Sequence, residues 1–154
     1  MAEIIEIKIE GLDKLNKKLG GLSNVMVREQ MRRTMYISTE KVKNEARKRV
    51  PVDTGNLRRS IRDIVQVSDK EVSGIVGPTE PYGAPVEYGA KPHFPPVGAL
   101  KRWAEKRGIN PYALAVSISR KGVKPHPFLI PAFQEKAKEI VEEFKKAIDY
   151  LLNQ

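Results

Sequence analysis

Val50-Pro51-Val52-Asp53-Thr54-Gly55-Asn56-Leu57-Arg58-Arg59-Ser60-Ile61 is the stretch on which the reading of this chain turns. Pro51 lacks an amide N–H, and its ring collides with a preceding helical turn. It also pushes Val50 towards extended geometry, so a helix running up to this point ends here. Asp53 or Thr54 can accept backbone N–H bonds and cap a new short helix. Gly55 permits a turn that a Cβ would obstruct. Asp53, Thr54 and Gly55 are therefore expected to form a structural turn between a long helix and a strand. The stretch holds no His, no Cys and no metal-binding pair, so it carries no catalysis by itself.

Upstream, Val27, Met31, Met35, Ser38, Val42 and Ala46 recur in steps of three and four. That spacing predicts an amphipathic helix of roughly seven turns, capped by Ser23 or Asn24. Its outer face is basic, with Arg28, Arg32, Arg33, Lys41, Lys43, Arg47, Lys48 and Arg49. Before it, Ile5, Ile7 and Ile9 alternate with charged residues and predict a half-buried strand ended by Gly11. Leu12, Leu15 and Leu19 follow as the stripe of a short helix closed by Gly20-Gly21.

Downstream, Ile61 to Val67 and Val72 to Val76 read as the two strands of a hairpin joined by Ser68-Asp69-Lys70-Glu71. Tyr82-Gly83-Ala84-Pro85-Val86-Glu87-Tyr88-Gly89 reads as a short extended or helical piece. Pro85 restricts it, if extended, to the edge of a sheet. Residues 90–126 read as a helical insertion. Leu100, Trp103, Ala104 and Arg107 fit one helix. Asn110 and Pro111 start a second, whose inner face is Tyr112, Ala115, Val116 and Ser119. Phe133, Ala137, Ile140, Phe144, Ala147 and Leu151, widened by Val141 and Ile148, make the C-terminal helix the strongest in the chain. The fold class is α+β: an antiparallel sheet packed against a long central and a long C-terminal helix, in one domain spanning 1–154.

The composition narrows the function classes. With 28 Lys and Arg against 19 Asp and Glu, the net charge is +9, which favours nucleic acid, an anionic surface or an acidic protein partner. Without cysteine there is no disulfide, thiol nucleophile or Cys-based metal site. No apolar run approaches the roughly 20 residues of a membrane span. Met1-Ala2-Glu3-Ile4 lacks the layout of a secretory leader. His93 and His126 each lie near prolines, with no carboxylate at a metal-ligand spacing. No phosphate-binding glycine loop or nucleophile elbow is present. A hydrolase built on Glu87 or His126 therefore has little to stand on, and neither a catalytic site nor a cofactor is expected. Arg28, Arg32, Lys43 and Arg47 are the candidates to face nucleic acid, although aromatic residues interleaved with the charge are lacking.

Three pieces recur in a familiar order. Pro51 to Ile61 comes first, Tyr82 to Gly89 second, and Pro127-Phe128-Leu129-Ile130-Pro131-Ala132-Phe133 opens the last helix. Together they resemble the gene-product-ten-like tail-component family of long-tailed phages and prophages. Pro85 departs from that pattern, where a small or polar residue is usual. The resemblance implies a virion structural protein of the head–tail junction or upper tail, a tail-completion or connector subunit. It implies assembly through protein surfaces in the host bacterial cytoplasm, with other neck and tail proteins as partners. It further implies a homo-oligomeric ring that can be a monomer alone, no membrane, and only indirect contact with DNA. Tyr82, Val86, Glu87, Tyr88, Trp103 and Phe128 are then the candidate subunit contacts, with the piece from Tyr82 to Gly89 as a sheet edge. A basic nucleic-acid-binding module is the alternative.

Overall fold

The computed structural model describes residues 4–20 and 22–154. The readings placed on Gly21 and on Met1 to Glu3 lie outside the described residues. The elements run β1 (Ile5–Glu10), α1 (Leu12–Lys18), α2 (Asn24–Arg49), α3 (Asn56–Ser60), β2 (Ile61–Val67), β3 (Glu71–Pro78), α4 (Gly83–Tyr88), α5 (Val97–Lys106), α6 (Pro111–Lys121) and α7 (Leu129–Leu152).

The strands form one antiparallel sheet in the order β1-β3-β2. Ile7 pairs with Gly74, and Gly74 with Val65, so these three share the row that faces the helices. α2 crosses that face, and α7 packs along α2. The stripe expected on α2 is the centre of the core: Val27, Met31, Met35, Ser38, Val42 and Ala46 are all fully buried. Ser38 satisfies its hydroxyl by donating to the Thr34 carbonyl one turn back, at 2.8 Å, as a buried polar group must.

Gly74 sets how closely α2 approaches the sheet. A Cβ there would stand 2.4 Å from Thr39 Cγ2 and 2.7 Å from Met35 Sδ, inside any tolerable contact. Beneath the same helix, Lys43 reaches Asp63 of β2 at 2.8 Å and also pairs with Glu40. Burial pulls the Lys43 ammonium down, and its bonds to Asp63 and Glu40 more than offset this, leaving it raised. Thr39 adds a bond to the second oxygen of Asp63 at 2.9 Å. α7 is clipped to α2 by Lys41, which meets Glu143 at 3.0 Å and Glu139 at 3.3 Å, and by Arg49 with Glu135.

Three expectations need correction. The piece from Tyr82 to Gly89 is not a sheet edge: Gly83–Tyr88 is the helix α4. Pro85 is its third residue, in the first turn, where a missing N–H breaks no intrahelical bond. Val141 does not widen the buried stripe of α7, since it is 52% exposed, whereas Ile148 does pack on the core. Tyr112 does not line the inner face of α6. It is 61% exposed and sets its ring edge-on against Phe94, with centroids 6.2 Å apart. Asn110 does cap α6, its side-chain oxygen accepting from the N–H groups of Tyr112 and Ala113 at 2.9 and 3.1 Å.

Candidate functional site

The three recurring sequence pieces meet in space. α4 touches the turn after α2 through Gly83 and Leu57 and holds the start of α7 through Glu87, and a cleft of about 850 Å³ lies between the turn and α4 on one side and α5–α6 on the other. The turn supplies Val52, Thr54 and Leu57 to its wall, α4 supplies Tyr82 and Val86, and the insertion supplies Leu100, Trp103 and Ile118.

The turn itself is a bend at Asp53, Thr54 and Gly55. Gly55 is the residue before α3, with φ at 80°, in the left-handed region that disfavours a side chain. Thr54 Oγ accepts from the Asn56 N–H at 3.3 Å. Asp53 does not cap α3. Its Oδ1 faces the end of α5, 3.6 Å from Lys106 Nζ and 3.5 Å from an Arg107 nitrogen. The Arg107 guanidinium lies over the Trp103 ring, 4.1 Å from its centroid. A carboxylate of the turn thus meets the end of α5, and the Arg107 cation in turn covers the chain's one tryptophan.

Glu87 proves to be an internal strut and not a surface contact. It is 1% exposed. One carboxylate oxygen accepts from the N–H groups of Phe128 and Leu129 at 2.7 and 2.8 Å, and the other from Ile130 at 2.9 Å. These are the orphan donors at the N-terminus of α7, where a negative charge also meets the positive end of the helix dipole. Phe128, the residue before α7, makes no side-chain cap of its own, so the cap comes from 41 residues upstream. Both oxygens of Glu87 are thus engaged by backbone N–H groups, with three bonds in all. Phe128 is likewise fully buried and forms part of the core, so neither residue is available to a neighbouring subunit.

The other expected contacts divide. Val86 is partly buried against the core. Tyr82, Tyr88 and Trp103 are exposed at 42%, 55% and 38%. The Tyr82 phenol is pushed up by partial burial and by the charge of Glu80. His126 lines the cleft, and its backbone N–H donates to the Val86 carbonyl at 2.7 Å. His93 Nδ1 lies 2.8 Å from the Lys91 carbonyl. Among the described residues no group of His, Asp and Glu gathers as a metal site, and no helix is long and apolar enough to cross a membrane.

The candidates to face nucleic acid are mostly engaged within the chain. Arg28 meets Asp69 at 3.0 Å, and Arg32 meets Glu29 at 2.8 Å. The hydrogen bond from Arg32, then that from Arg33, holds the Glu29 carboxyl down at about 2. Lys43 is inside, on Asp63, and Arg47 donates to the Ile61 carbonyl at 2.9 Å. The basic face read from the sequence is therefore laced with its own carboxylates. Glu29 lies on α2 itself, three and four residues from its partners, whereas Asp63 and Asp69 lie on strand and turn, far along the chain.

Comparison with known families returns a match over residues 13–89 to the family described as "Bacteriophage HK97-gp10, putative tail-component". The match runs from α1 to the residue after α4, and so takes in the turn and Glu87. No curated protein and no solved structure matches the chain.

Proposed function

The chain belongs to the HK97-gp10-like family of bacteriophage tail components, and from that premise we propose that it is a tail-completion or connector subunit at the head–tail junction, working by protein–protein assembly. The observation that carries this reading is the cleft. The turn and α4, both inside the matched region, form one wall, and the insertion outside it forms the other. Exposed aromatic side chains at the rim, Tyr82 and Trp103, are the kind that anchor interfaces. They supply large apolar area with few rotatable bonds. The partner is another neck or tail protein, and the working location is the virion.

Nucleic-acid binding through α2 is the weaker reading. The ion pairs that occupy Arg28, Arg32 and Lys43 would have to be broken before phosphates could be engaged. The test of the proposed function is a deletion strain supplied with the protein in trans. Tailless heads and free tails that accumulate without the protein, and join when it is added, are the expected result. Normal virions in the deletion strain would refute the function.

A further inference from the structure

The sheet has two open edges. β1 and β2 each pair only with β3 among the described residues, so each presents a row of unpaired backbone groups to a possible neighbour. The two edges differ in charge. On β1, Lys8 is taken by Glu71 at 3.7 Å. The charges left without a partner among the described residues are Glu6 and Glu10, both acidic and exposed. Beside β2 the situation is inverted. Asp63 points to the helices and is held by Lys43, while Arg47, Arg58, Arg59 and Arg62 together line a pocket of about 310 Å³. No carboxylate among the described residues lines it. Arg47 and Arg59 have partners at the Ile61 carbonyl and at Asn56 Oδ1. Arg58 and Arg62 have none among the described residues. Four guanidinium groups in one pocket repel one another unless an anion joins them.

We propose that this arginine-lined edge receives the acidic β1 edge of a second copy of the chain, so that copies join head to tail through a continued sheet. The register supports the fit. Glu6 and Ile64 both pair with Ile75 and so share one row on the face turned away from the helices. β1 and β2 are both antiparallel to β3 and hence parallel to each other. Repeating the sheet by one copy sets the next β1 parallel to β2, with its Glu6 beside Ile64 and within reach of Arg62, two residues along on the same face. The symmetric alternatives bring arginines against arginines or glutamates against glutamates, which like-charge repulsion disfavours. A head-to-tail contact that closes makes a ring. This inference rests on the assembly function proposed above and gives it a self-contact, separate from the cleft that meets other proteins.

The experiment is a charge swap on purified full-length chain. One variant carries Arg58→Glu and Arg62→Glu, the other Glu6→Lys and Glu10→Lys. All four positions are exposed, and thermal melting checks that each variant folds. Sedimentation velocity at high protein concentration and low salt should show association of the wild type that weakens as salt rises. Each variant alone should be monomeric, because the charges that drew its two edges together no longer oppose each other, and an equimolar mixture of the two should associate again. A wild type that stays monomeric at every concentration, or a mixture that stays monomeric, overturns the proposal. A parallel arm adds duplex DNA. If the arginine variant loses DNA retention but self-associates like the wild type, the pocket serves phosphates and the edge contact is wrong. Because this assay needs no virion, its failure removes the self-contact alone, whereas normal virions in the deletion strain would remove the tail function alone.

Discussion

The sheet with α2 and α7 is built differently from the insertion spanning residues 90–126, and the contrast separates what holds the fold from what is left for contact. In the first region large side chains vanish from solvent: Met31, Met35, Ile61, Leu129 and Phe128 are all fully buried. Each such burial contributes roughly 1.5–3 kcal/mol. In the insertion the helices bury only Ala104 and Ala115, and Trp103, Tyr112 and Phe94 remain exposed. The insertion is tied by polar means instead. Ala90 and Val123 exchange two backbone hydrogen bonds at its base, at 3.0 and 2.8 Å, and Asp53 meets Lys106 and Arg107 near its tip. Segments with few buried apolar contacts open at low free-energy cost. The insertion is thus expected to open more readily than the sheet and the long helices.

The largest effect should come from Glu87. Glu87→Ala leaves three buried or half-buried N–H groups of α7 without an acceptor and opens a cavity, and a loss of about 2–4 kcal/mol is expected. Chemical denaturation should report it, with Glu87→Gln falling between the two because it keeps one acceptor oxygen. If Glu87→Ala melts like the wild type, the strut between α4 and α7 is not what holds the start of that helix. Charge reversal at this position would damage the fold, so it cannot serve as a probe of subunit contact.

Next is Gly74→Ala, expected to cost about 1–3 kcal/mol by forcing α2 off the sheet. A variant of unchanged stability would mean that the helix can slide at little cost. Gly55→Val should also destabilise, through its left-handed backbone, and Thr54→Ala by less, since its one bond is long and exposed.

Asp53→Asn tests the other region. It removes the charge that faces Lys106 and Arg107, two partly exposed pairs of the kind worth little to stability. Thermal melting should hardly move, whereas limited proteolysis near Lys91 or Lys121 to Lys124 should accelerate. First cuts inside α2 would reverse the assignment of rigid and adjustable parts.

How much of this was legible in the sequence depended on range. The α2 stripe was legible because a periodic pattern needs only the helix itself. The hairpin, the cap at Asn110 and the cap of α2 at Ser23, one of two candidates beside Asn24, were legible for the same reason, being local chemistry. Glu87 was misread because its partners are 41 to 43 residues away. A signal did exist: Phe128-Leu129-Ile130 starts a long helix with no Ser, Thr, Asp or Asn at its cap, so the acceptor had to come from elsewhere. Asp53 and Thr54 were alternatives for the cap before α3, both being residue types that accept there, and it is Thr54 that takes the Asn56 N–H. The insertion's Lys106 and Arg107 drew Asp53 away. The neutralised basic face of α2 was legible only in part: Glu29, Glu40 and Glu45 lie on the helix itself, three or four residues from the cations they meet, whereas the other carboxylates come from β2, the hairpin turn and α7. Gly74 looked like an ordinary strand glycine, and only the crossing helix explains it.

The smallest expected effect is on pH. Glu29, Glu45 and Glu139 are all held below the ordinary carboxylate value of 4.5. Glu29 is lowered by Arg32 and Arg33. Burial pushes Glu45 up, but Lys48 and Arg49 outweigh it. Glu139 is lowered by Lys136 and Lys41. A lowered folded-state value contributes stability above the unfolded value, and that contribution is lost as pH falls through the folded value. For Glu29 the window runs from 4.5 down to about 2. These groups are largely solvent-screened, so the melting temperature should decline gently there. Glu29→Gln should flatten that decline slightly, and a steeper decline in the variant would contradict the assignment.

The central claim is that tail or neck proteins dock in the cleft between the turn and the insertion, and Trp103 reports on it directly. The chain has one tryptophan, and it lines the cleft. Replacing it with 5-hydroxytryptophan allows selective excitation in the presence of whole tails. On addition of tails that the protein joins to heads, emission at position 103 should shift and acrylamide quenching should fall sharply. Unchanged quenching on tails that have demonstrably joined would place the contact elsewhere and contradict the account.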